Sequence, residues 1–235
     1  MRKILGRGGN GRVERRNGLA VKILDRTGRE SVERFRIEIE AMQLAQSIGL
    51  RNVVPILSVD LSGVPPSYTM PIYDGDLDRV LSRTRHNAKI TASIIEPLAR
   101  TLSDLASANR PIYHRDLKPS NILYRKADGK VEEIHLADFG CAFIATGEER
   151  LTQTHRAVGA AQFRPPEYSF GRVKEVSASA DIYALGKILW YLCNGVSGEI
   201  FPYNLWYPEE YNLVRRGGWA WRFAAESAHC SVRRF

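Results

Sequence analysis

The chain has 235 residues, 44% of them hydrophobic and 26% charged, the balance of an ordinary globular protein of one or two domains. Its formal net charge of +8 favours acidic partners such as nucleotide phosphates, nucleic acid or an anionic membrane surface, without choosing among them. Cys141, Cys193 and Cys230 have no C-x-x-C spacing, which argues against a disulfide framework or a zinc site, and the apolar run Ile182–Cys193 is broken by Lys187 and too short to cross a bilayer.

In chain order, residues 1–25 predict strand, Gly-rich turn, strand, turn, strand. Asn17-Gly18 between two β-capable runs is a hairpin signal. Phe35, Ile39, Met42 and Leu44 recur at helical spacing and predict a helix over 30–48. "VVPILSVD" and "SYTMPIY" read as strands separated by a Gly-Val-Pro-Pro turn. After "YDGD" the pattern turns helical in "DLDRVLSR" and "TASIIEPLARTLSDLASA", where Pro97 permits a kink or break. "YHRDLKPSNILYR" and "KVEEIHLADFG" read as loop plus short strands, and 141–164 as a long loop. "SASADIYALGKILWYLC" predicts a buried helix with Ser177 or Ser179 as its cap. The start, "MRKILGRGG", lacks the apolar core of a signal peptide. A soluble, cytoplasmic protein without a membrane partner is the expectation, and no aromatic-basic interleaving supports specific nucleic-acid binding.

The stretch "HRDLKPSN" (114–121) carries the most chemistry. Asp116 can accept a proton from an attacking hydroxyl, Lys118 can neutralise a phosphate oxygen, and Asn121 can hold a metal ion on the same loop. Residues 6–13 read "GRGGNGRV", so Gly6, Gly8 and Gly11 allow backbone to approach phosphate oxygens without a Cβ in the way. A strand on each side distinguishes this loop from the dinucleotide fold, where a helix opens at once. "AVKIL" holds Lys22, "RFRIEIEAM" holds Glu38, "ADFG" holds Asp138, "FRPPEY" holds Glu167 and "DIYALG" holds Asp181.

Together, from Gly6 to Gly186, these motifs resemble the protein kinases. "RFRIE" and "LTQTHRAVGAAQFRPPE" resemble the bacterial eukaryotic-like Ser/Thr kinases in particular. The resemblance implies an α+β, bilobal fold: a small antiparallel N-lobe sheet with one helix over 1–72, and a mainly helical C-lobe over 73–235 that departs from the pattern after about 200. It implies ATP and Mg2+ as cofactors and a Ser/Thr-bearing protein as substrate. Gly6, Gly8, Gly11, Val13, Ala20, Lys22, Met70, Pro71 and Tyr73 would line the nucleotide site. Met70 would be the gatekeeper, and Pro71, which lacks an N–H, would leave adenine to its own carbonyl and the Tyr73 backbone. Lys22 would pair with Glu38, in preference to Glu40 or Glu33. Asp138 and Asn121 would hold magnesium, with Asp116 as base and Lys118 as a mark of Ser/Thr specificity. Phe139 would be a residue whose position separates active from inactive states.

The same resemblance makes Arg115, Thr152 and Thr154 regulatory, through autophosphorylation of the loop. Two departures bear on activity. Gly159-Ala160 stands where most Ser/Thr kinases have Gly-Thr, which removes a hydroxyl that supports the catalytic Asp and Lys. The tail carries Trp206, Tyr207, Tyr211, Trp219 and Trp221 in no familiar pattern, leaves Arg233 as a guess for the partner of Glu167, and suggests a shortened C-lobe or one completed by a regulatory partner. A catalytically weak nucleotide-binding module and a small-molecule phosphotransferase of related fold stay open as alternatives.

Overall fold

The structure, a computed structural model, describes residues 3–8, 11–26, 28–81, 88–128, 130–145, 163–165 and 177–194. Strands β1 (Lys3–Arg7), β2 (Gly11–Arg16) and β3 (Leu19–Leu24) precede helix α1 (Arg29–Ser47), and β4 (Ser58–Asp60) and β5 (Ser67–Met70) follow it. They form one antiparallel sheet in the order β1-β2-β3-β5-β4. Asn17 and Gly18 turn the β2–β3 hairpin with φ of 49° and 78°, and Arg16 then sits opposite Leu19. Two positive φ values are what a two-residue hairpin turn of matching twist requires, and Asn-Gly tolerates them. α1 buries Phe35, Glu38, Ile39, Met42 and Ala45, one helical stripe. It closes on Gly49 (φ 79°), whose N–H donates to the Gln46 carbonyl at 3.0 Å.

The strand expected over "VVPILSVD" is shorter than its apolar pattern. Pro55 has no N–H to give a ladder, so only Ser58–Asp60 joins the sheet. Val53 and Val54 pair elsewhere: the Val54 N–H donates to Leu136 O at 2.9 Å, and the Leu136 N–H donates to Asn52 O at 2.7 Å. β5 likewise stops at Met70, before Pro71.

The rest comprises β6 (Gly75–Asp76), α2 (Leu77–Leu81), α3 (Ala88–Ala106), β7 (Ile112–Tyr113), β8 (Ile122–Ala127), β9 (Lys130–Leu136), β10 (Phe143–Ile144) and a helix over Ser179–Asn194, here α4. β6, β8 and β9 form one small sheet, and β7 pairs with β10. α3 runs through Pro97 without a break. The missing N–H costs one backbone bond, while the Thr101 hydroxyl donates to Pro97 O at 2.8 Å in the next turn. Ile94, Leu98, Leu102 and Leu105 are buried along one face of α3, which packs on α4 through Leu185, Ile188 and Leu192. The Ser177 hydroxyl accepts the Ser179 N–H at 3.4 Å, so Ser177 is the capping residue of α4. Lys187, which interrupts the apolar run of α4, is buried against the Tyr183 ring, and burial pushes its ammonium down to about 8. Among the described residues no helix is long and apolar enough to cross a membrane.

Candidate active site

β3 carries Lys22 directly opposite Tyr68 of β5, and α1 packs across that face. Lys22 Nζ donates to Glu38 Oε1 in a close ion pair, and also reaches Asp138 Oδ1 at 3.2 Å. The Tyr68 hydroxyl donates to the same Glu38 oxygen at 2.8 Å. Glu38 is wholly buried, so burial lifts its carboxyl above the ordinary value, with Lys22 and Tyr68 opposing that rise. Burial is the largest single influence on the Lys22 ammonium and works against it, but Glu38, Tyr68 and Asp138 together outweigh it and hold the lysine well above its usual value. Neither Glu40 nor Glu33 enters this pair.

Asp138 follows β9 at φ 62°, a left-handed conformation that a non-glycine residue holds only under constraint. Burial opposes its ionisation, yet Lys22, by charge and by hydrogen bond, holds its carboxyl below the usual range. Phe139 is fully buried, with its ring edge-on to His114 at 4.6 Å.

The second half of the site is the loop from His114 to Asn121. Asp181 of α4 accepts the backbone N–H of His114 at 2.7 Å and of Arg115 at 2.8 Å, and so fixes the loop from beneath. Burial raises the Asp181 carboxyl, and His114 together with these two donors opposes the rise. Arg115 takes φ 64° there. The His114 ring accepts the Asp116 N–H on Nδ1 at 3.3 Å and lies 3.0 Å from Ala137 O through Nε2. Asp116 Oδ2 accepts from Lys118 Nζ at 2.6 Å and from Asn121 Nδ2 at 3.1 Å, and Asn121 Nδ2 also reaches the Asp116 carbonyl at 2.8 Å. With its nitrogen committed to Asp116, Asn121 has its amide oxygen to offer a cation. The Ala137 N–H donates to Asn121 O at 2.9 Å and joins this loop to the residue before Asp138.

Around the Gly-rich turn the three glycines differ. A Cβ on Gly11 would lie 2.2 Å from Ile23 O, so this glycine is demanded by the neighbouring strand rather than by a ligand. Gly6 and Gly8 have open space where a Cβ would be, with only Gly11 O near the second at 3.9 Å. Val13 lies on β2 opposite Lys22, and Ala20 sits opposite Met70, both of the latter buried. Pro71 and Tyr73 follow Met70 in irregular backbone. The Tyr73 ring packs 4.9 Å from His135 and under Arg125 at 5.0 Å, and burial pushes its phenol up to about 12. Thr152, Thr154, Gly159-Ala160, Glu167, Arg233 and the tail aromatics lie outside the described residues. Among the described residues no three His, Cys, Asp or Glu side chains cluster as a metal cage. One carboxylate and one amide oxygen still fit magnesium, a hard cation that keeps waters and takes further oxygens from a phosphate.

Tyr68, His114 and Asp181 complete the site without a predicted role. For Tyr68 the signal was its strand register against Lys22; for Asp181 it was an acidic residue at the start of an apolar helix.

An ion-paired strand lysine, a carboxylate beside it and the Asp116–Lys118–Asn121 cluster of the loop form one charged site. The protein kinase domain family matches residues 1–203, and the chain belongs to that family. It is 34% identical over 203 residues to the serine/threonine-protein kinase Pkn1 of Myxococcus xanthus, covering 81% of this chain and 28% of that protein. It is 36% identical over 198 residues to the serine/threonine-protein kinase PknH of Mycobacterium tuberculosis, covering 80% of this chain and 30% of the relative. Against ribosomal protein S6 kinase alpha-2 of Mus musculus the identity is 31% over 178 residues, covering 75% and 23%. The chain therefore spans less than a third of the length of these relatives.

Proposed function

We propose that the chain transfers the γ-phosphoryl group of Mg-ATP to Ser or Thr hydroxyls of a protein substrate, in the cytoplasm, with the nucleotide between an N-lobe of residues 1–72 and a C-lobe from 73 onward. The observation that carries this reading is the chain of contacts Glu38–Lys22–Asp138 facing the Asp116–Lys118–Asn121 cluster. The acceptor oxygen forms a bond to the γ-phosphorus as the bond to the β–γ bridging oxygen breaks; ADP leaves, and the hydroxyl proton passes to Asp116. Lys118, already on Asp116, is placed to offset charge on the transferring group. Lys22 orients the α- and β-phosphates, with Glu38 holding its ammonium in place. The residues that would hold magnesium are Asp138 and Asn121, and the ion would supply charge neutralisation on the phosphates. Gly6 and Gly8 leave room for phosphate oxygens, and Val13, Ala20, Met70, Pro71 and Tyr73 would border the base.

Regulation through the loop belongs to the same reading. Phosphate on Thr154 or Thr152 adds about two negative charges and forms charge-assisted bonds to guanidinium groups, with Arg115 as its partner. Purified protein incubated with Mg-ATP should carry phosphothreonine at one or both positions, with little phosphotyrosine anywhere. The Thr152→Ala/Thr154→Ala double variant should lose activity. Phosphosite mapping with both threonines unmodified, together with full activity of the double variant, overturns the switch. Dominant phosphotyrosine on a generic acceptor overturns the residue class.

A further inference from the structure

Glu40 stands two residues beyond Glu38 on α1 and pairs with neither Lys22 nor any neighbour on its own helix in the contacts described. Arg110 Nη2 donates to Glu40 Oε1 at 2.8 Å, across 70 residues of sequence. Arg110 lies on the turn between α3 and β7, and this turn makes a second bond. The carbonyl of Pro111 accepts the Ala145 N–H at 2.9 Å, directly after β10, and β10 pairs with β7 through Phe143–Tyr113 and Ile144–Ile112. One turn thus grips α1 on one side and the segment following Asp138-Phe139-Gly140 on the other. Its chain then runs straight through β7 into His114–Asp116.

α1 has another tie at its C-terminal end, where Asn52 Nδ2 donates to Ile134 O at 2.8 Å and the 52–54 backbone pairs with Leu136. An anchor at one end of a helix fixes where that end lies, and the buried stripe from Phe35 to Ala45 sets which face turns inward but leaves a range of rotation about the axis. A side-chain contact partway along it removes that freedom. Glu38 and Glu40 are about 200° apart around the helix, so the pull on Glu40 sets where Glu38 points. The geometry points to Arg110 as a positioning residue: its bond to Glu40 holds α1 at the rotation in which Glu38 meets Lys22, and couples that rotation to the strand pair beside the catalytic loop. This inference rests on the kinase reading above. The two side chains are 43% and 48% exposed, so the pair adds little to stability, is weakened by salt, and acts on turnover.

The test compares purified full chain with Arg110→Glu, Glu40→Arg and the charge-swapped double variant, using Mg-ATP and a Ser/Thr peptide acceptor. Arg100→Glu is the control, because it breaks an even more exposed pair, with Glu96, inside α3. Each single reversal should lower kcat roughly fivefold, the upper end for a surface pair, with KM for the peptide changed less than about twofold. Tm should shift no more than in the control, the swap should recover most of kcat, and salt should lower wild-type kcat toward the single variants. Unchanged kcat in both single variants, a fall that the swap does not recover, or a fall that tracks Tm overturns the inference alone. No transfer by the unaltered protein overturns the kinase reading and this inference with it.

Discussion

Asp116→Asn should lower phosphoryl transfer at least about a hundredfold while leaving nucleotide binding nearly unchanged, the range expected when a general base is removed. The substitution is close to isosteric, and the contacts that shape the loop do not depend on the carboxylate. Asn121 Nδ2 holds the Asp116 carbonyl at 2.8 Å, and the His114 and Arg115 N–H groups stay on Asp181. What is lost is chemical. An amide cannot take the hydroxyl proton, and Lys118 loses the carboxylate that sets its ammonium 2.6 Å away. Steady-state kinetics with titration calorimetry of Mg-ATP separates the two effects. Near-normal turnover in this variant removes Asp116 as base.

Lys22→Met should be the most damaging single change on the N-terminal side, and by two separable routes. Lys22 is 13% exposed and Glu38 1% exposed at the side chain, so removing the ammonium strands a buried carboxylate on which, among the described residues, only the Tyr68 hydroxyl remains as donor. Breaking a buried pair in this way costs about 3–5 kcal/mol. The Glu38 carboxyl, already raised by burial, then rises further. A carboxyl whose folded pKa exceeds its unfolded value keeps a proton that the unfolded chain releases. The deficit of the variant is therefore smallest near about pH 4 and grows toward neutrality. Adding Glu38→Leu should recover most of the lost stability, short of the cost of the Tyr68 hydroxyl losing its acceptor. It should recover none of the activity, because no cation then meets the phosphates. Denaturant unfolding beside activity measurements checks both halves; recovery of turnover in the double variant would contradict the role given to Lys22.

Local chemistry made the N-terminal sheet readable in advance. Asn17-Gly18 dictates its own turn, and the α1 stripe from Phe35 to Ala45 has a single period. The pairing of Lys22 with Glu38 rather than Glu40 came from the resemblance of "RFRIE", and helical periodicity agrees with it, since Glu38 falls on the Phe35–Met42 stripe and Glu40 about 200° away. What one-dimensional pattern could not supply was competition for backbone partners. Val53 and Val54 are as strand-like as any residue of the chain, yet Pro55 breaks the ladder and Leu136 of β9 takes the Val54 N–H and the Asn52 C=O on either side of Val53 instead. The support from Asp181 was equally hidden, because the N–H groups that donate to it lie 66 and 67 residues away in sequence. Gly11 also reads differently in three dimensions: its missing Cβ answers to Ile23 on the adjacent strand, not to a phosphate. Arg110 and Glu40 each look like solvated surface charges until the fold brings them together.

The most direct measurement is transfer of labelled γ-phosphoryl from ATP to a Ser/Thr acceptor by the purified protein, with magnesium present and with it chelated. The account predicts label on serine or threonine that requires magnesium and is lost with Asp116→Asn. Absence of label with magnesium present, or equal labelling by the Asp116→Asn variant, would contradict it.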